Sequence, residues 1–370
     1  MDNNKPTVAF LGTNGIPACY GGCETMYENL AKYQHDDFDI TVYCSNKAPK
    51  VAGDTFMGAK LKRLNLSANG AQGILFDILT LIDARKSDCL YYFGPSAGFM
   101  IPILRFFGCK KTIVVNHGGL NEWEREKLSR LQKAYTKWVF KLAAKHATVN
   151  VVDNDLYKES LKKTFGVDSV VIRYGGDNAV RGEATEELKK KYPFIGEKYA
   201  VAVARAQVDN NLHIVLEAFS KMPEKMLVMV SNWDVSEYGR SLRSQYKDKY
   251  PNIIVLDSIY DQKELSAIRT NAYLYIHSHS RCGTPPSLCE AMYLGLPVVA
   301  FEMPVNHETT QEKALFFKDA DSLIDIVRGA SDQKIKELGE WSKKIAESEY
   351  RWEHIADQYA ETYLVKETSK

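Results

Sequence analysis

This chain of 370 residues lacks a disulfide pattern, a strong net charge and an uninterrupted apolar run. Its seven cysteines, at 19, 23, 44, 89, 109, 282 and 289, form no CxxC pair and no Cys/His cluster at zinc spacing. They read as reduced thiols, and neither a disulfide framework nor a structural zinc is expected. Lys and Arg number 48 against 47 Asp and Glu, a net charge of +1. No global field therefore exists to hold nucleic acid. The N-terminus, MDNNKPTVAFLG, passes from a polar tail straight into an apolar strand without the basic stretch of a secretion signal. The apolar window from Tyr91 to Phe107 is broken by Gly94, Pro95, Gly98 and Pro102, so it cannot span a bilayer as one helix. A cytoplasmic chain is expected, at most peripheral at the inner face of the membrane. The glycine patterns of dinucleotide folds, GxGxxG, and of P-loop proteins, GxxxxGK[ST], are also missing.

What is present is a βα rhythm. Short runs rich in Val, Ile, Tyr and Phe alternate with amphipathic stretches through nearly the whole length. Strands are predicted at 7–12, 40–44, 61–65, 89–93, 112–116, 147–152 and 170–173, then at 200–204, 226–230, 253–256, 272–277, 297–301 and 314–317. Near-continuous apolar strands separated by helices imply parallel sheets covered on both faces, and hence an α/β protein with two doubly wound domains. The change from Gly-Gly-Asp-Asn to a charged, Pro-containing stretch at 175–195 predicts the boundary. The domains are then 1–175 and 176–345, followed by a tail, 346–370. In that tail Trp352, Ile355, Ala356, Tyr359 and Tyr363 recur at helical spacing, an amphipathic helix in need of a surface. Charge divides unevenly between the halves: residues 1–175 hold 23 Lys/Arg against 17 Asp/Glu, net +6, and the remainder is net −5. A basic half suits an anionic acceptor or membrane surface.

Four places carry chemistry. The first strand leads into GTNGIPACYGGCET, where Gly12, Gly15, Gly21 and Gly22 surround the start of a helix predicted over 23–33. Such a loop allows close approach of a ligand, and the helix start offers amides and partial positive charge to an anion. In the second half, YIHSHSRCGTPPSLCE repeats the arrangement of strand, Gly-containing loop and helix start. Pro285 and Pro286 suit the first turn and leave Ser287 and Leu288 to present the first free amides, beside Gly283 and Thr284. Glu290, about one turn further, is placed to accept hydrogen bonds from ribose hydroxyls. Arg205 ends the strand YAVAVAR and should emerge at the carboxyl edge, where such sheets bind ligands; a guanidinium there can clamp a diphosphate. An interdomain ion pair is the structural alternative for Arg205. His117 follows TIVVN at another strand end, where an imidazole can meet a sugar hydroxyl or simply hold the loop.

Two further patterns read as structural. Gly94–Gly98 matches GxSxG, the setting of a hydrolase nucleophile, yet Ser96 is expected as a helix N-cap. Asp153-Asn-Asp155 has the spacing of a metal-holding pair, but it opens a predicted helix, where acidic residues cap and offset the dipole.

At these residues the chain resembles the retaining GT-B glycosyltransferases of family 4, and within them a bacterial subgroup that includes β-rhamnosyltransferases of polysaccharide assembly. The resemblance spans nearly the full length and rests on five segments together: GTNGIPACYGGCET, VVNHGGLNEWERE, VARAQVDNNLHIVLEAF, YIHSHSRCGTPPSLCEAMYLGLPVVAF and YRWEHIADQYAETY. It implies two Rossmann-like domains facing a cleft, with the C-terminal helix packing back across. The second domain would hold a nucleotide sugar, UDP- or TDP-linked, and the first a saccharide or lipid-linked acceptor. No metal and no cofactor beyond the donor are implied. Carried onto this sequence, Arg205 and His117 take the catalytic positions, while Gly21, Gly22, Asn210, Gly283, Thr284, Ser287, Leu288 and Glu290 take the donor-binding ones. Several positions depart from the pattern, among them Pro285, where the subgroup often has Asn, and Gly118-Gly119, where it often has Asp-Gly. Cys282 stands where many members carry the first Glu of Glu-x7-Glu, and Asn210 where they carry Lys. These departures keep a noncatalytic nucleotide-sugar binding protein in view, beside a second rival, an epimerase acting on nucleotide sugars.

Overall fold

The computed structural model describes residues 5–18, 21–119, 121–125, 128–259 and 261–366. Cys19, Tyr20, Leu120 and Glu126, which fall in the motifs above, lie outside the described residues. The chain divides into two compact units: Met1–Tyr174 together with Trp352–Lys370, and Gly175–Arg351.

The first unit holds β1 (Thr7–Leu11), β2 (Asp39–Cys44), β3 (Thr55–Phe56), β4 (Ala59–Arg63), β5 (Cys89–Phe93), β6 (Thr112–Asn116), β7 (Val149–Val152) and β8 (Val170–Val171). They form one sheet in the order β3-β4-β2-β1-β5-β6-β7-β8. Only the β3–β4 pair is antiparallel. The sequence did not announce β3, because a two-residue strand carries no periodic signal. The interior strands are buried on both faces: Val8 to Leu11 and Ile113 to Val115 are all essentially inaccessible, as a parallel sheet coated by helices requires. β4 instead alternates, with Ala59 and Leu61 inward and Lys60 and Lys62 outward. That edge-type pattern is why it begins two residues before its predicted start.

The second unit holds β9 (Tyr199–Val203), β10 (Met226–Ser231), β11 (Ile253–Asp257), β12 (Leu274–His277), β13 (Val298–Phe301) and β14 (Leu315–Phe317). Their order is β11-β10-β9-β12-β13-β14, and every recorded pair is parallel. The strands thus run outward from β9 to one side, then resume at β12 on the other. Ligands in such sheets bind beyond the carboxyl ends of the strands at that reversal. In the second unit the reversal lies between β9 and β12; in the first it lies between β1 and β5.

The tail helix, Trp352–Tyr363, packs on the first unit through all five predicted apolar positions. Tyr363 meets Phe38 edge-on at 5.5 Å, and Trp352 meets Tyr174 at 4.7 Å. Polar anchors fix the register: Gln34 Nε2 donates to Ala356 O at 2.6 Å, and Asn116 Nδ2 donates to Tyr359 Oη at 2.8 Å. Among the described residues no helix is long and apolar enough to cross a membrane.

Candidate functional site

The loops after β9 and β12 are the ones that flank the reversal in the second unit. Arg205 follows β9 and is exposed; among the described residues no carboxylate pairs with its guanidinium, so it is a cation available to a ligand. The loop beneath it is clamped. Asn210 is buried, and its Nδ2 donates to Arg205 O at 2.7 Å. The amide at 210 therefore shapes the turn that presents the arginine. This Asn closes a 3-10 turn, Val208–Asn210, and the following helix runs over Leu212–Ser220.

The loop after β12 is held against that turn. Ser280 donates to Asp209 O through its amide at 2.8 Å and through its hydroxyl at 2.9 Å. Asn211 Nδ2 donates to Ser278 O at 3.1 Å, and Asn306 Nδ2 donates to His279 O at 3.1 Å. The loop then enters the helix Pro286–Tyr293, whose N-cap is Pro285. Leu288 N is already spent on Pro285 O at 3.0 Å, which narrows the offered amides. Ser287 keeps the first-turn amide with no backbone acceptor among the described residues, and Gly283 and Thr284 precede it. Glu290 is pinned rather than free. Its Oε2 lies 2.6 Å from Arg269 Nη1, with both side chains largely buried, at 14% and 7% exposure, and its Oε1 accepts from Asn178 Nδ2 at 2.9 Å. A carboxylate so fixed retains lone pairs for a hydroxyl and cannot swing away. Gly176 lies against this helix, where a Cβ would come within 2.4 Å of Cys289 O.

In the first unit the glycine loop is closed by its own carboxylates. Gly12, at φ +90°, lies where a Cβ would be 2.1 Å from Phe93 O. Asn14 N and Gly21 N donate to Glu24, at 3.2 and 3.1 Å, and Ala18 N donates to Glu28 at 2.6 Å. Burial raises the pKa of both glutamates. The amides that the sequence offers to an outside anion are thus partly occupied from within, and Gly21 and Gly22 contribute the shape of the helix start, Gly22–Gln34. Gly22 O also accepts from Tyr174 Oη at 2.8 Å.

His117 follows β6 and is fully buried. Its Nε2 lies 2.8 Å from Asn150 Oδ1. Since Asn150 Nδ2 donates to Ala144 O at 3.0 Å, the amide oxygen must accept from the ring. Burial lowers the pKa of this imidazole to about 4. The ring therefore stands neutral inside the unit, 5.8 Å from Phe140 between centroids, with its Nδ1 unpartnered among the described residues.

The two decoys resolve locally. Ser96 is not an N-cap, because the next helix spans Met100–Phe106 with Phe99 at its cap. Ser96 Oγ instead donates to Asp77 at 2.6 Å, a partner that cannot serve it as the histidine of a triad does. Asn154 Oδ1 caps the helix Asp155–Phe165 by accepting from Tyr157 N, with Asp155 in its first turn.

Sequence reasoning missed one cluster. His277, at the end of β12, stands with His279 and Cys282 so that one ligating atom from each lies within 4.8 Å of the others. Burial pushes the pKa of His277 well down and that of His279 to about 4, with the Arg205 charge adding to the effect at His279. The spacing His-x-His-x-x-Cys was the available signal.

Comparison with known proteins agrees with this division. Residues 184–347 match the family described as glycosyl transferases group 1, and residues 5–177 match a domain of unknown function, DUF1972. The second unit is thus similar to that family over those residues. The O-antigen chain mannosyltransferase RfbU of Salmonella typhimurium is 24% identical over 200 residues, which is 52% of this chain and 53% of that protein. The chain matches about half the length of its curated relatives. Among solved structures, sucrose-phosphate synthase from Thermosynechococcus elongatus superposes with a TM-score of 0.79 at 15% identity, covering 97% of this chain and 98% of that one. HepE from Anabaena, solved with UDP and glucose, gives 0.73 at 16% identity, covering 96% and 99%. The fold is that of the GT-B glycosyltransferases, two α/β units each built on a parallel Rossmann-like sheet.

Proposed function

We propose that this protein is a glycosyltransferase that moves a sugar from a nucleotide diphosphate sugar, UDP- or TDP-linked, to a hydroxyl of a saccharide or lipid-linked acceptor in cell-surface polysaccharide synthesis. The observation that carries the reading is the pairing of two pinned loops at the carboxyl edge of β9 and β12. One presents Arg205, which no carboxylate pairs with among the described residues, the other a helix start and a fixed Glu290. A guanidinium and helix-start amides together suit a diphosphate, and the carboxylate suits a ribose. The match to glycosyl transferases group 1 and the UDP and glucose bound by HepE support the same donor class.

The finer reading is a family 4-like enzyme that retains anomeric configuration, with rhamnose as the transferred sugar. No carboxylate nucleophile is proposed. The acceptor hydroxyl attacks the anomeric carbon on the face the diphosphate leaves, and a departing phosphate oxygen takes the hydroxyl proton. Arg205 and the helix start stabilise the charge that builds on that phosphate. His117 and Asn210 act as positioning residues, and no metal or cofactor takes part in the transfer. Product analysis with UDP- and TDP-sugars tests this directly. A glycosylated product with retained configuration, formed only when acceptor is present, is expected. Epimerised donor formed without acceptor favours the epimerase, and tight donor binding with no turnover over a panel of acceptors favours a noncatalytic binding protein.

The acceptor side belongs to the first unit in this reading, with contact to the inner face of a membrane. Phe106 and Phe107 are 80–85% exposed, and Lys110, a few residues on, is exposed as well. The helices Met100–Phe106 and Arg130–His146 pack together, with Phe99 stacked on Trp138 at 5.9 Å. Exposed aromatics among cations fit an anionic lipid surface. Co-sedimentation with phosphatidylserine-containing vesicles is expected, and Phe106→Asp with Phe107→Asp should abolish it. Equal pelleting of wild type and double variant removes the membrane from the account.

A further inference from the structure

The His277, His279 and Cys282 cluster is not used by the donor reading. The two imidazole rings are 4.4 Å apart between centroids and tilted by 54°. The Nε2 atom of each is buried with no hydrogen-bond partner among the described residues. An unpaired buried polar atom is costly, so two of them on neighbouring rings favour an occupant that both can bind. A thiol is the third group within reach, all three ligating atoms lying within 4.8 Å of one another.

We infer that His277, His279 and Cys282 form a site for a zinc-class divalent ion, with a fourth position open to water. Two imidazoles and a thiolate are a borderline-soft donor set, which selects zinc, cobalt, nickel or copper over magnesium, calcium or manganese. Ligand bonds of about 2.0–2.3 Å put neighbouring atoms of a tetrahedron roughly 3.4–3.7 Å apart. The three ligating atoms, all within 4.8 Å of one another, lie close enough to reach that spacing by small side-chain adjustments. The backbone that carries the ligands is already held: Ser280 to Asp209 O, Asn211 to Ser278 O and Asn306 to His279 O. Binding forms three bonds to the ion and releases the Cys282 proton to solvent. The ion takes no part in the proposed transfer. It would fix the segment that leads into Gly283 and Thr284, and so adjust the donor loop from outside the reaction.

Cobalt(II) reports such a site independently of any activity. Titration of the metal-free full chain, without an affinity tag, should raise the visible ligand-field bands of tetrahedral cobalt and a near-ultraviolet thiolate charge-transfer band. Both should saturate at one ion per chain and collapse on adding zinc. Cys282→Ser should remove the charge-transfer band while far-ultraviolet circular dichroism stays unchanged. His279→Ala should weaken binding about tenfold or more, the scale seen even for groups that only support a ligand. The absence of tetrahedral bands, or a charge-transfer band that survives Cys282→Ser, overturns the assignment. Because the readout is the ion itself, a failure here leaves the glycosyl-transfer reading untouched, and the reverse holds.

Discussion

Asp77 illustrates how a single buried group governs a measurable property. It accepts from Tyr92 Oη and Ser96 Oγ, both at 2.6 Å, and burial raises its pKa from 3.8 to about 7. Between those two values the folded protein holds a proton that the unfolded chain has given up. Unfolding there releases a proton, so stability is full below about pH 4 and falls as pH rises toward 7. Asp77→Asn keeps the acceptor oxygen and removes the charge, so its stability should change less between pH 5 and pH 8 than that of the wild type. Glu24 and Glu28 act with the same sign but are common to both proteins. A tenfold difference in proton affinity between the folded and unfolded states is worth about 1.4 kcal/mol, so urea unfolding at the two pH values resolves the effect; equal pH dependence contradicts the role of Asp77. At this scale the sequence offers candidate residues but not what they touch. Arg205 and Glu290 were legible from position in the βα pattern. The Arg269 partner of Glu290, the Asn150 partner of His117 and the carboxylates filling the glycine loop were not, because each pairing joins residues on separate elements.

Elements were read more securely than contacts. All thirteen strands predicted from apolar runs occur; the interior ones are covered on both faces, as parallel strands must be, whereas β4 alternates and β8 is only two residues long. The departures share a cause: where local pattern is short or one-sided, as in β3, β4 and the turn at 96–99, periodicity gives no clean boundary. The tail helix was legible in full, because its five apolar positions need one surface and the first unit supplies it. Tyr359 is its central anchor, within 5.2 Å of Tyr91 and bonded to Asn116 Nδ2. Tyr359→Ala removes a buried ring and one of that amide's two acceptors, leaving it Tyr91 Oη at 3.1 Å. A loss of about 3–5 kcal/mol is expected by analogy with other buried aromatic truncations, visible as a lowered thermal midpoint. Tyr359→Phe should cost far less, since the packing remains. If alanine and phenylalanine behave alike, the helix is not anchored by that ring.

At the scale of the whole molecule, strand order was the part that no local signal reveals. The sequence predicted two doubly wound sheets, and only the pairing of β9 with both β10 and β12 shows where the reversal falls and which loops border it. That placement turns an arginine, a glutamate and a helix start, scattered over 86 positions from Arg205 to Glu290, into one candidate diphosphate site. The claim that a nucleotide diphosphate lodges there is tested most directly by calorimetric titration of UDP, TDP and GDP into wild type and Arg205→Ala. One diphosphate should bind the wild type selectively, and the variant should bind it about 10-fold to 100-fold more weakly, the loss typical of a hydrogen bond to a charged group. Equal affinity in both proteins, or no binding of any of the three, contradicts it.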